Sequence, residues 1–81
     1  MDVKVLGSGC VACQAMYSDV NRIIARNGWR GIQVEYVQDI ERIMSYNVLT
    51  TPVLVINEKV VMLGHRGTAK LEHALRKGYA A

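Results

Sequence analysis

Residues 2–16 read DVKVLGSGCVACQAM, in which a strand-like run is followed by a glycine-rich break and by the start of a helical pattern. Residues 2–6 predict a short buried strand, with Val3 and Val5 on one face because side chains alternate along a strand. Gly7-Ser8-Gly9 ends that strand, since glycine is a strong local breaker of regular structure. A helix is predicted to begin directly after the break.

That helix is predicted to run from Cys10 to Asn27, because apolar residues recur in it at spacings of three and four. Gly28 stands where a left-handed residue commonly ends a helix. Unpaired N–H groups and the macrodipole at a helix N-terminus favour an anion, so Cys10 is expected to be held in its reactive thiolate form. Cys13 lies one turn further on the same side, and its sulfur can reach that of Cys10. We therefore expect redox chemistry at these two cysteines rather than packing alone.

The middle of the chain predicts a strand and a short helix. Residues 32–37 alternate between apolar and polar side chains, which is typical of a half-exposed strand at a sheet edge. Asp39 is a suitable N-cap for the helix that follows, and Asn47 is a plausible left-handed stop. This helix is expected to turn three apolar side chains inward, namely those of Ile40, Ile43 and Met44.

The last third of the chain predicts a β-hairpin and a helix. Residues 52–56 form an apolar strand, residues 57–59 a turn, and residues 60–63 the returning strand. A final helix is predicted over residues 68–77, ended by Gly78. The order β-α-β-α-β-β-α predicts an α/β fold with a mixed four-stranded sheet flanked by helices, because a right-handed crossover makes the first two strands parallel and a hairpin supplies antiparallel neighbours.

Length and charge narrow the classes of function. The 81 residues suffice for one domain, residues 1–81. Ten basic and seven acidic side chains give a net charge of +3 without a basic stripe, so no nucleic-acid partner is expected. No signal peptide follows Met1, and the apolar run at 52–56 is too short for a bilayer, so we expect a cytoplasmic protein without membrane contact. A monomer is the default expectation.

The only proline, Pro52, leads the apolar strand of the hairpin. Proline suits the first residue of a strand, where its missing N–H breaks no ladder bond. Local sequence favours a trans Thr51–Pro52 bond statistically. A cis bond would instead turn the chain towards the cysteines and free the backbone of Thr51 for an incoming peptide.

Together, the Gly-x-Gly-Cys-x-x-Cys segment after a strand, the Thr51-Pro52 pair and the segment over residues 55–61 resemble the small thioredoxin-like, glutaredoxin-sized redox-active disulfide proteins of bacteria and archaea. The resemblance implies a thioredoxin-like fold and a thiol-disulfide oxidoreductase that reduces protein disulfides. It implies that Cys10 is the nucleophile, Cys13 the resolving thiol and Pro52 a cis proline beside them. The redox-active disulfide would be the only cofactor, with no metal. The chain lacks the Trp-Cys-Gly-Pro-Cys of thioredoxin and the Cys-Pro-Tyr-Cys of glutaredoxin.

Substrate contacts are expected around the cysteines. Because Val11 and Ala12 are apolar and uncharged, they give the site a surface on which a partner can dock. The resemblance adds the Thr-Pro segment and the loop before the last helix, so the expected substrate-binding residues are Thr51, Pro52, Val11, Ala12, Gly64, His65 and Arg66. The implied partners are disulfide-containing proteins and a thioredoxin-reductase-like or other thiol electron donor. Glutathione is an alternative partner, with Arg66 and the helix N-terminus available for a carboxylate.

Two metal-binding functions are the alternatives to consider for the cysteines. The loop before Cys10 is similar to the metal-binding loop of small heavy-metal domains, and two thiolates suit Cu(I), so a soft-metal carrier is the alternative prediction. Those domains end in a strand, whereas this chain is predicted to end in a helix. A four-ligand zinc site fails because His65 and His73 are too far apart for the usual pair.

Overall fold

The computed structural model describes residues 1–80 and contains four strands and three helices. Among those residues, every helix is too short or too polar to cross a membrane. The elements confirm the predicted order and lie at β1 Asp2–Leu6, α1 Val11–Asn27, β2 Gln33–Val37, α2 Ile40–Met44, β3 Val53–Ile56, β4 Lys59–Leu63 and α3 Thr68–Ala80.

The four strands form one mixed sheet in the order β2-β1-β3-β4. Strand β1 pairs parallel with β2, and β3 pairs antiparallel with both β1 and β4. The sheet therefore has the predicted mixed character, and β2 lies at an edge as its alternating pattern indicated. Leu6, the last residue of β1, pairs with Val37 on one side and with Val53 on the other. The loop after Leu6 consequently lies at the same end of the sheet as the start of β3.

Each face of the sheet has its own apolar core, because successive side chains of a strand point to opposite faces. The larger core joins α1 and α3 to the sheet, and its buried residues are Val3, Val5, Met16, Val20, Ile23, Leu54, Ile56, Leu71 and Leu75. The smaller core lies under α2 and contains Leu6, Val37, Ile43, Val48, Val53 and Val55. Burial of these side chains from water is the main force that holds the helices on the sheet.

A two-residue turn between β3 and β4 places a carboxylate beside a buried cation. Asn57 and Glu58 both have positive φ, at 50° and 67°, so the turn is tighter than the predicted three residues. Lys4 of β1 is buried and bonds Asp2 and Glu58, each at 2.5 Å. The hydrogen bonds that Lys4 donates, first to Asp2 and then to Glu58, raise the pKa of Lys4. Glu58 also accepts from the Tyr46 hydroxyl at 2.9 Å, so the charge of a buried lysine is compensated.

The last helix continues past the predicted stop at Gly78, so that part of the prediction is wrong. Gly78 lies inside α3, where a Cβ would stand 2.9 Å from Cγ2 of Ile56. The glycine thus allows close approach of α3 to β3. Beyond it, Tyr79 stacks on Trp29 with ring centroids 5.2 Å apart. Tertiary packing sustains the helix to Ala80.

The short helix α2 also differs from its prediction. Asp39 caps it as expected, because its Oδ1 accepts from the N–H of Glu41 at 3.2 Å. Only Ile43 is buried, however, and the inward orientation predicted for Ile40 and Met44 is wrong, since they are 64% and 56% exposed. A helix of five residues makes little more than one turn, so it presents only a narrow stripe to the sheet.

Candidate active site

The two cysteines occupy the N-terminus of α1 and are joined as a disulfide with their Cα atoms 5.1 Å apart. Cys10 is the N-cap, with φ −66° and ψ 167°, and its Sγ accepts a hydrogen bond from the N–H of Cys13 at 3.2 Å. The helix thus starts one residue later than predicted. The sulfur of Cys10 takes the place that an oxygen of Ser or Asp usually holds at an N-cap.

The two cysteines differ in their burial. Cys10 is exposed, whereas Cys13 is completely buried. A Cβ placed on Gly7 would lie 2.6 Å from Cβ and 2.7 Å from Sγ of Cys13, so the backbone of Gly7 lies directly against the inner half of the disulfide. Only Cys10 can be reached by an external reactant without movement of the chain.

The loop between β1 and α1 is fixed at both ends. The N–H of Gly7 donates to the carbonyl of Val37 at 3.0 Å, which extends the pairing of β1 with β2. Gly9 has φ 98°, a conformation that glycine adopts without strain, and its carbonyl accepts from Nε2 of Gln14 at 2.8 Å. These contacts hold the backbone that carries Cys10 in place.

The Thr51–Pro52 segment lies at the same end of the sheet. The peptide bond between the two residues is cis, and Pro52 is buried. Pro52 directly precedes Val53, which pairs with Leu6, so the segment stands beside the loop that leads to the cysteines. The carbonyl of Pro52 accepts from the N–H of Gly64 at 2.7 Å, which brings Gly64 to the same region.

An apolar cleft of about 290 Å³ runs from this segment to α2. Leu49 at its rim is 98% exposed, and Val11, directly after Cys10, is 85% exposed. Ala12 is exposed as well. The cleft is lined by Ser8, Ile40, Ile43, Met44, Val48, Leu49, Thr50 and Thr51. The cleft therefore extends from the exposed apolar side chains of α2 to Ser8, which stands two residues before Cys10.

The side chains of the other two loop residues of the expected site, His65 and Arg66, each have a hydrogen-bond partner within the protein. Nε2 of His65 lies 2.8 Å from Oδ2 of Asp19, and its Nδ1 accepts from the N–H of Gly67 at 3.1 Å. Asp19 follows Cys10 by nine residues of helix, which is about 13 Å along the axis. Nε of Arg66 donates to the carbonyl of Leu63 at 3.0 Å. The structure thus places Gly64 against Pro52 and joins the side chain of His65 to α1. The side chain of Arg66 bonds Leu63, which pairs with Val53 directly after Pro52.

Tyr36 of β2 is a neighbour of the disulfide that no sequence motif indicates. Its ring stacks on that of Tyr17 with centroids 4.9 Å apart, and its Cε1 lies 3.4 Å from the Cβ position of Gly7. Its buried hydroxyl has no hydrogen-bond partner among the described residues. Gly7 was likewise predicted only as a strand break. Both contacts join different elements, so no local motif indicates them.

Within residues 1–80, no three side chains of His, Cys, Asp or Glu converge as a metal-binding group. The family model described as thioredoxin domain matches residues 1–76. No curated protein matches the chain closely enough to count as a relative. The match covers all seven elements except the last turn of α3.

Proposed function

The chain belongs to the thioredoxin domain family, and from this premise we propose that it is a thiol-disulfide oxidoreductase that reduces disulfides of other proteins. Family and cysteine pair together indicate a redox function. The observation that carries the specific proposal is the asymmetry of the pair, since Cys10 is exposed at a helix N-terminus and Cys13 is buried behind it. Such an arrangement separates an attacking thiol from a resolving one.

In the proposed reaction the dithiol form attacks first through Cys10. Its thiolate forms a bond to one sulfur of the substrate disulfide, and the other substrate sulfur leaves as a thiolate. Cys13 then loses its proton and attacks Sγ of Cys10. The bond between Cys10 and the substrate breaks, the Cys10–Cys13 disulfide forms, and two electrons have passed to the substrate.

The N-terminus of α1 supports the first step. When the disulfide is open, the N–H of Cys13 that now lies 3.2 Å from Sγ of Cys10 can donate to the thiolate. The positive end of the helix dipole adds to this stabilisation. Val11 and Ala12 contribute no charge, so the backbone supplies the effect.

Substrate docking is proposed along the Thr-Pro segment and the apolar cleft. No hydrogen bond within residues 1–80 occupies the backbone N–H or C=O of Thr51, so both are available to an extended peptide. The exposed side chains of Leu49 and Met44 would cover apolar residues of that peptide. The proposed substrates are proteins that carry an accessible disulfide flanked by apolar residues.

The electron donor is proposed to be another thiol-disulfide protein, of the thioredoxin-reductase type or similar. Such a donor would reduce Cys10–Cys13 by the same exchange in reverse. Glutathione is the alternative donor in this proposal. Nε of Arg66 bonds the carbonyl of Leu63, which leaves the other guanidinium N–H groups available for a carboxylate.

The test is the reduction of insulin by the purified protein with dithiothreitol as electron source. The wild type should accelerate reduction, and Cys10→Ser should abolish the acceleration. Ser18→Ala, at an exposed residue of α1 outside the cleft, is the control and should keep full activity. Full activity of Cys10→Ser would contradict the mechanism. A tight stoichiometric Cu(I) complex together with no disulfide exchange would favour the metal carrier instead.

A further inference from the structure

The hydroxyl of Tyr36 is a buried donor without an acceptor. Among residues 1–80, its oxygen is the one side-chain N or O atom that is fully shielded from solvent and has no hydrogen-bond partner. A polar group in that condition costs free energy, so native structures rarely keep one without a reason. The ring cannot easily turn the hydroxyl to solvent, because Tyr17 stacks on it at 4.9 Å with an interplanar angle of 23°.

The position of this ring is next to the inner sulfur of the disulfide. Tyr36 pairs with Val5 in the parallel ladder, and its ring reaches along the sheet to Gly7. Cys13 contacts the same point, since the missing side chain of Gly7 leaves room for its Sγ. Tyr17, which holds the ring in place, follows Cys13 by one turn of α1. Tyr36 and Cys13 are therefore neighbours at the point that a Cβ of Gly7 would occupy, 3.4 Å from Cε1 of Tyr36 and 2.7 Å from Sγ of Cys13.

We propose that the Tyr36 hydroxyl donates a hydrogen bond to Sγ of Cys13 when the disulfide is open, and thereby stabilises the thiolate that resolves the mixed disulfide. This inference rests on the proposed oxidoreductase function. In the oxidised protein Sγ of Cys13 is held in its bond to Cys10 and accepts no hydrogen bond from the hydroxyl. A thiolate is a strong acceptor, and the opened disulfide leaves the sulfur free to rotate towards the ring.

The resolution step creates the need for such a donor. Cys13 is completely buried, and burial without a partner disfavours a charged sulfur. Within residues 1–80, no lysine, arginine or histidine side chain is hydrogen-bonded to Cys13, Tyr17 or Tyr36. The thiolate of Cys13 attacks Sγ of Cys10, and the departing substrate thiolate takes up the proton that Cys13 has released. Tyr36 retains its own proton throughout.

The experiment compares Tyr36→Phe with Tyr17→Phe as the matched control, because both variants keep the stacked rings and remove one hydroxyl. The reduced proteins are mixed with 5,5′-dithiobis(2-nitrobenzoate), and release of the coloured thiolate is followed over a range of pH. The first equivalent reports the attack by Cys10, and the second reports resolution by Cys13. The stability of each variant is measured in the oxidised and the reduced form.

At pH 7 the second release should slow by about three- to tenfold in Tyr36→Phe. Without the hydroxyl a smaller fraction of Cys13 is thiolate, and the greater nucleophilicity of that thiolate offsets only part of the loss. The first release and both rates of Tyr17→Phe should be unchanged, and the difference should vanish at alkaline pH. Tyr36→Phe should also destabilise the reduced form more than the oxidised form. Equal second rates of wild type and Tyr36→Phe at every pH would overturn this inference alone. Absence of the second release in the wild type would overturn the proposed function with it.

Discussion

The N–H of Cys13 donates to Sγ of Cys10, so the reactive sulfur is itself the cap of the helix that carries both cysteines. An N-cap side chain satisfies a backbone donor that the helix leaves unpaired. Chemistry and folding therefore use the same atom. A thiolate at Cys10 should be a better cap than a thiol or a disulfide sulfur, because hydrogen bonds to charged acceptors are stronger.

Gly7→Ala should destabilise the oxidised protein, because the new methyl group would lie 2.6 Å from Cβ and 2.7 Å from Sγ of Cys13. Overpacking of this kind costs about 1–3 kcal/mol. Denaturant unfolding of the oxidised form measures the loss. The neighbouring substitution Ser8→Ala, at an exposed residue, is the control and should stay within about 0.5 kcal/mol of wild type. Equal stability of Gly7→Ala and Ser8→Ala would refute the close contact.

Leu49→Ser should weaken reaction with protein disulfides and leave reaction with small disulfides unchanged. The side chain is 98% exposed at the rim of the apolar cleft, so its removal should not affect the core. Loss of partial burial in the complex should lower the second-order rate constant with insulin by about three- to tenfold. Val61→Ser, at an exposed apolar residue outside the cleft, should react like wild type. A Leu49→Ser rate equal to that of Val61→Ser would show that the cleft does not bind substrate.

The order of elements could be predicted because its signals are local. Alternation marks β2, and the glycine at residue 28 ends α1 with φ 65°. Gly78 was wrongly predicted to end α3. Glycine also permits close approach of two elements, here α3 and β3, and the contacting residue Ile56 is 22 residues away in sequence. A helix as short as α2 gives no periodicity from which the single buried side chain, that of Ile43, could be identified.

In the candidate site, too, some residues have a local sequence signal and others are identified only by contacts between elements. Cys10 and Cys13 carry their own signal, because a spacing of three after a strand is readable from the sequence. Gly7 and Tyr36 acquire their roles only when β1, β2 and α1 pack together. The hydroxyl of Tyr36 is exceptional because of the atoms around it, and nothing in the alternation of β2 reports those atoms.

His65→Ala should lower stability and leave the chemistry intact. Its Nδ1 accepts from the N–H of Gly67, so Nε2 carries the hydrogen and donates to Asp19 at 2.8 Å. Loss of this half-buried bond between α1 and the loop should cost about 1–3 kcal/mol in denaturant unfolding. His73→Ala, at an exposed residue of α3, is the control. A tenfold slower reaction of Cys10 in His65→Ala would instead assign the histidine a role in proton transfer.

Glu72 should make the protein sensitive to acid. Its hydrogen bond from Asn27, followed by the charges of Arg26 and Arg76, lowers the pKa of this carboxyl below 4.5. The stabilisation is present above 4.5, the value for the unfolded chain, and is lost as the pH falls through the lower folded value.

The melting temperature of wild type should therefore fall more steeply on acidification than that of Glu72→Gln, which is already less stable at pH 7. Glu41→Gln, whose carboxylate forms no ion pair within the described residues, is the control. Parallel curves for wild type and Glu72→Gln would contradict the shift.

The ordered roles of the two cysteines are tested most directly by trapping the mixed disulfide. Reduced Cys13→Ser is incubated with an oxidised protein substrate, and the product is mapped by mass spectrometry under non-reducing conditions. A stable adduct should form on Cys10, since the buried resolving thiol is missing. Cys10→Ser should form no adduct, because Cys13 is shielded by Gly7. An adduct on Cys13 in Cys10→Ser, formed as fast as that on Cys10 in Cys13→Ser, would contradict the assignment.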